Sequence, residues 1–219
     1  MFSKLSIQTF FIVIVMLWSG SIAFAENTPL IALDSKSDLA VALSKLSNLK
    51  GFSSQFKQKL TYAEGGSRAY EGELFVLRPG KFRWHYSQPY EQLYVSNGKG
   101  IWLYEPDLMQ AQLLQDLGEV EPVVLQLLDG RVGLEDVQVL GEEHFGAHFS
   151  SWHVRLGKAN AAVEIWLGVQ DQKLLWIESR DVLNNRNRLQ LVDIKQDEPN
   201  KKIFEFIAPE GVDVIGAIQ

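Results

Sequence analysis

His144 and His148 stand four residues apart, directly after Glu142 and Glu143. On a helix that spacing brings two imidazoles to one face, where they would ligate one metal ion with a carboxylate nearby. Gly141 and Gly146 instead favour a hairpin loop here, and the zinc-protease order HExxH is absent. His85 and His153 alternate with aromatic residues along strand-like segments, where they face solvent or line a wall. No GxSxG elbow, phosphate-binding loop or GxGxxG fingerprint occurs. Cysteine is absent, which removes thiol catalysis. Nothing assembles a nucleophile, a base and an oxyanion site, so no catalytic residue, metal or cofactor is expected, and the chain does not read as an enzyme.

The other conspicuous residue type is aromatic. Between Gly72 and Pro106 the chain carries Phe75, Phe82, Trp84, Tyr86, Tyr94, Trp102 and Tyr104, mostly in alternation with polar residues. Pro79-Gly80, Pro89 and Asn97-Gly98 interrupt the run, and Asn-Gly between alternating segments is a strong short-range hairpin signal. The pattern predicts an antiparallel meander with one large apolar face.

The elements around the meander follow from a change of period. Leu39, Ala42, Leu43, Leu46 and Leu49 keep helical spacing, which predicts a helix over 35–48, started by a capping-box-like Ser35-Lys36-Ser37-Asp38 and stopped by Gly51. Phe52, Phe56, Leu60 and Tyr62 then face one way and Ser53, Gln55, Lys57 and Lys59 the other, as in a strand. Met109, Ala111 and Leu113 continue the sheet. Pro122 suits a first helical turn, with Val123, Val124, Leu127 and Leu128 making a short apolar helix that Gly130 ends, and a further turn is expected at 134–137. Strands are expected over 137–140, 152–156, 162–169, 174–183, 188–195 and 203–207. The total is about eleven or twelve strands with two or three short helices, a mainly β (α+β) domain forming a barrel or strongly curved antiparallel sheet. No linker, repeat or low-complexity tract divides it.

Bulk properties narrow the setting. Lys4, the apolar run Phe10–Trp18 and Ala23-Phe24-Ala25 have the order of a cleavable secretory signal over residues 1–25, so residues 26–219 are expected as a single exported domain. The alternative is an uncleaved anchor. Without cysteine the domain holds together by its core alone and carries no lipid anchor of its own. Removing Lys4 with the leader leaves 20 basic against 27 acidic residues, a net charge of −7. That balance argues against nucleic acid and against an anionic membrane surface.

A sheet of about eleven strands encloses more space than its own side chains fill, and two short helices cover its mouth rather than plug it. The aromatics then either line a hydrocarbon cavity or pack an ordinary core. Three blocks decide the comparison: Gly72 to Tyr86 with Gln88-Pro89, then Val95-Ser96-Asn97-Gly98 with Trp102 to Pro106, and the tail Phe204 to Val212. Together they resemble the periplasmic outer-membrane lipoprotein carriers, the LolA family.

The resemblance implies an incomplete barrel of about eleven strands with a helical lid over an apolar cavity, located in the periplasm. It implies triacylated lipoproteins as cargo, an inner-membrane ABC transporter complex as donor, an outer-membrane lipoprotein receptor as acceptor, and a monomer. Arg78 matches the family arginine that ties lid to barrel through backbone carbonyls; the alternative is a surface arginine whose stem lies along apolar neighbours. Phe82 and Trp84 match wall positions, and Phe56, Phe75, Tyr86 and Trp102 are expected to line the cavity with them. Leu39, Leu43, Leu46, Val124, Leu127 and Leu128 are expected on the lid. A carrier or sensor of another lipid or glycolipid on the same fold is the competing reading.

Overall fold

The computed structural model describes residues 31–114, 122–157 and 163–216. The expected leader and the stretch just before the middle helix lie outside the described residues. Helix α1 spans Asp38–Ser47, and Ser37 caps it, its Oγ accepting the Ala40 N–H at 3.2 Å. The helix therefore starts three residues later than the capping-box pattern suggested. Its buried face is Leu39, Ala40, Ala42, Leu43 and Leu46, the 3–4 spacing that a helix needs to bury one side.

Strands β1 (Ile31–Ala32), β2 (Gly51–Thr61), β3 (Ser67–Leu77), β4 (Lys81–Gln88), β5 (Gln92–Asn97), β6 (Ile101–Glu105) and β7 (Gln110–Leu114) come first. After helix α2 (Pro122–Leu128) follow β8 (Val137–Phe145), β9 (Phe149–Leu156), β10 (Val163–Gln170), β11 (Lys173–Arg180), β12 (Arg186–Lys195) and β13 (Asp213–Ile215). Among the described residues they form one sheet in the order β1-β8-β9-β10-β11-β12-β2-β3-β4-β5-β6-β7-β13. Two sequential meanders, β2–β7 and β8–β12, are thus joined where β12 pairs antiparallel with β2. The sheet is open, edged by β1 and by β13, which runs parallel to β7.

Alternation builds the concave face. On β4, Phe82, Trp84 and Tyr86 are buried between more exposed neighbours; on β9, Ser150, Trp152, Val154 and Leu156 are. All but Ser150 form one cluster with the apolar faces of α1 and α2, so the core lies between the curved sheet and the two helices. Gly72 is required there: a Cβ would run into the backbone carbonyl oxygen of His85 on β4 and stand 2.9 Å from Cε1 of Phe56.

Besides the start of α1, three expectations for the strands and the tail change. The sheet gains two short edge strands, β1 and β13, whose residues are too few to show a period. Strand β8 runs five residues beyond the expected 137–140 and its hairpin loop is correspondingly short, with His144 inside β8 and Gly146 at φ +75° in the turn. The strand expected over 203–207 is instead a 3₁₀ turn at Lys201–Phe204 followed by irregular chain. This tail packs on the convex side of the sheet, where Phe204 is fully buried. Its apolar residues serve a second, outer layer rather than a strand of their own.

Candidate functional site

The concave wall is aromatic on its β2–β5 side. Phe56 meets Trp84 and Tyr86 edge-on at 5.5 and 5.0 Å, and Trp84 stacks on Tyr86 at 6.1 Å. Tyr70 and Tyr94 join through Tyr86. Phe82 sits beside them in the buried cluster. Four of the expected lining residues, Phe56, Phe82, Trp84 and Tyr86, are therefore brought together.

Phe75 and Trp102 are not. Phe75 pairs with Arg83, Arg83 with Val95 and Val95 with Trp102, and directly opposed residues share a face. That face is the one away from Leu74, Trp84 and Tyr94. Trp102 lies 5.5 Å from the ring of Phe206, and Arg83 reaches the Ile203 carbonyl at 3.5 Å. Both residues belong to the outer layer under the tail. The run Leu74-Phe75-Val76-Leu77 is apolar on both faces, so its own period does not say which side is in. The signal that could have told was downstream: Phe204 and Phe206 need an aromatic surface to cover.

Lid and wall meet at Arg78, the residue following β3. Its Nη1 donates to the carbonyls of Leu46, Ser47 and Leu49 at 2.7, 2.7 and 2.6 Å, and its Nη2 and Nε to Leu128 O at 2.7 and 3.2 Å. Ser47 and Leu128 are the last residues of their helices, whose end carbonyls lack an intrahelical partner; Leu46 O also accepts the Leu49 N–H, and Leu49 O lies in the turn just beyond α1. A cation there also meets the negative end of each helix dipole. One guanidinium thus caps α1 and α2 together, which a fork of five donors allows. Burial lowers the Arg78 pKa and Asp129 partly restores it; an arginine stays cationic under such a shift. Asp129 adds a second tie by accepting the Gly80 N–H at 2.8 Å. Gly130, at φ +70°, must stay bare, because a Cβ would lie 2.8 Å from the Arg78 guanidinium carbon.

The lid residues Leu39, Leu43, Leu46, Val124, Leu127 and Leu128 are all buried in the same cluster as the wall. Clefts flank them. One of about 650 Å³ opens between α2 and the β3–β4 and β5–β6 turns, with Leu74, Val76, Phe82 and Ile101 in its lining and Lys81 and Lys99 also facing it. Another of about 450 Å³ runs along α1 beside β11 and β12, where Lys45 of the helix donates to Gln172 at 3.1 Å.

Polar atoms inside the container are few. Tyr86 Oη donates to Gln58 Oε1 at 2.7 Å, and Gln58 Nε2 to Asn187 Oδ1 at 2.9 Å. Trp152 Nε1 donates to Ser150 Oγ at 2.8 Å. Trp84, only 2% exposed, has its Nε1–H buried without a partner among the described residues. An unpaired buried donor costs about 1–3 kcal/mol.

The histidines have separate partners. His144 bonds Glu142 at 2.9 Å, His148 bonds Asp171 at 2.9 Å, His85 bonds Glu91 and His153 bonds Glu164. Among the described residues no group of His, Asp and Glu converges as a metal site would require. The convex side of β10–β12 is equally self-contained. Arg180 lies over Trp166 and Arg188 over Trp176, at 3.8 and 4.1 Å, and both arginines pair with the buried Glu178.

The class of protein this defines is a strongly curved open sheet, apolar on its concave side, with two helices packed on that side and tied to it by Arg78 and Asp129. The family model "Outer membrane lipoprotein carrier protein LolA" matches residues 47–207, and the chain belongs to that family. An outer-membrane lipoprotein carrier protein of Methylococcus capsulatus is 30% identical over 213 residues, 94% of this chain and 96% of its own. One of Nitrosomonas europaea is 34% identical over 158 residues, 68% and 73% of the two chains. Among solved structures, a LolA superfamily protein from Nitrosomonas europaea superposes with a TM-score of 0.45 at 15% identity, covering 80% of this chain and 99% of that one.

Proposed function

We propose that residues 26–219, freed of the leader, work in the periplasm as a monomeric lipoprotein carrier. The chain takes triacylated lipoproteins from an inner-membrane ABC transporter complex and hands them to an outer-membrane receptor, without catalysing a reaction. The observation that carries this reading is Arg78, which fastens both lid helices over an apolar interior. At about 0.8 kcal/mol per buried methylene, exposing three long acyl chains to water costs roughly tens of kcal/mol, so a lipoprotein does not cross an aqueous compartment unaided. An apolar interior removes that cost. A lid held by hydrogen bonds, chiefly those of Arg78, rather than by a covalent link, keeps opening reversible.

The test is to express the chain in the periplasm, purify residues 26–219 without detergent and weigh the protein under native conditions. A stoichiometric triacylated lipoprotein adduct, together with release of lipoproteins from spheroplasts, is the expected result. A ligand-free protein that releases none overturns the reading, and an adduct with the mass of a phospholipid or glycolipid redirects it to another lipid.

A further inference from the structure

We infer that the indole N–H of Trp84 is a cargo-binding donor that donates a hydrogen bond to a glyceryl ester carbonyl of an acylated ligand. The inference rests on the carrier reading above and adds to it the group that fixes how deep the chains sit.

An apolar interior holds hydrocarbon by volume and leaves its position along the cavity undefined; orientation comes from a small number of placed polar groups. The concave wall offers few. Tyr86, Gln58 and Asn187 satisfy one another. Trp152, the other indole of the concave face, has Ser150 on its own strand as acceptor. Trp84 is treated differently. It is buried between Leu74 and Tyr94 on the paired strands, with Phe56 and Tyr86 against its ring. Its N–H meets no acceptor among the described residues. A phenylalanine would fill the apolar role with no donor to satisfy. What recovers the cost of a buried, unpaired N–H is an acceptor that arrives with the ligand. In an acylated cargo each fatty chain begins at a carbonyl oxygen, the one strong acceptor at the junction of hydrocarbon and headgroup. Trp84 therefore places that junction on the β4 wall, with the alkyl chains taking the place that the helix faces hold against the wall in this structure.

The experiment compares two probes: a tripalmitoylated cysteinyl lipopeptide, and the same lipopeptide with its two glyceryl esters replaced by ethers. Wild-type protein is expected to bind the ester probe roughly threefold to tenfold more tightly, the scale of one hydrogen bond. Trp84→Phe should bind both at the weaker affinity. In wild-type protein the Trp84 indole proton resonance should move downfield with the ester probe and not with the ether. That reading decides the matter even if Trp84→Phe fails to fold. Equal ester and ether affinity, an unchanged ratio in Trp84→Phe, or an unmoved Trp84 resonance overturns the inference and leaves the carrier reading intact. If wild-type protein binds neither probe, the carrier reading falls and this inference with it.

Discussion

Arg78 shows how much a single side chain controls when its partners are backbone atoms. Its guanidinium serves four carbonyls from two helices and the turn after α1, so no substitution in the helices can replace what it provides. Arg78→Leu keeps the apolar stem and removes every donor. We expect it to weaken lid closure by about 2–4 kcal/mol, the cost of leaving several carbonyls and two helix ends unserved, and to impair cargo handover. Arg78→Lys should recover only part of this, because an ammonium is a point charge that does not span both helix ends. Amide exchange in Asp38–Ser47 and Pro122–Leu128, with delivery rates to outer membranes, measures the effect. Unchanged exchange and normal delivery in Arg78→Leu would remove the gating role.

At the scale of elements, the molecule has two apolar layers on one sheet, and they answer to different tests. Inside are the wall and the lid helices; outside, the tail after β12 covers Trp102 and Tyr104 with Phe206 and buries Phe204 completely. Phe204→Ala should therefore cost about 3–4 kcal/mol in chemical denaturation yet leave cargo retention per folded molecule unchanged; lost retention by folded protein would mean that the outer layer also shapes the interior. The same two layers explain what the sequence made legible. The meander was readable because Pro79-Gly80 and Asn97-Gly98 mark turns and Phe82-x-Trp84-x-Tyr86 has an unmistakable period of two. The lid helices were readable from Leu39, Leu43 and Leu46 and from Val124, Leu127 and Leu128. The side of the sheet on which Phe75 and Trp102 fall was not, since both faces there are apolar and only the pairing register separates them. Nor were β1 and β13, held by pairing to β8 and β7 rather than by any pattern of their own. Arg78 carried no local signal either: its partners lie 29 to 50 residues away, and only the resemblance pointed to it.

For the molecule as a whole, the decisive feature is that the lid does more than cover the interior. Leu39, Leu43, Leu46, Val124, Leu127 and Leu128 are part of the same packed cluster as Phe56, Trp84 and Trp152, so in this state the helices fill much of the space that acyl chains would occupy. Packed interiors have little free volume to give. Cargo must then displace the helices, and loading exchanges one apolar core for another of similar extent. That exchange accounts for a carrier that binds hydrocarbon and still lets go: the helix faces returning to the wall offset a large part of the cost of giving up the chains. It also predicts opposite responses in two parts of the chain. When a triacylated lipopeptide is bound, backbone amides of α1 and α2 should lose protection in hydrogen exchange, while those of β2–β5 and β9–β12 keep or gain it. If instead both helices become more protected on loading, the cargo sits beneath a lid that closes over it, and the interior must be larger in the loaded state by an expansion of the open sheet edges rather than by removal of the helices.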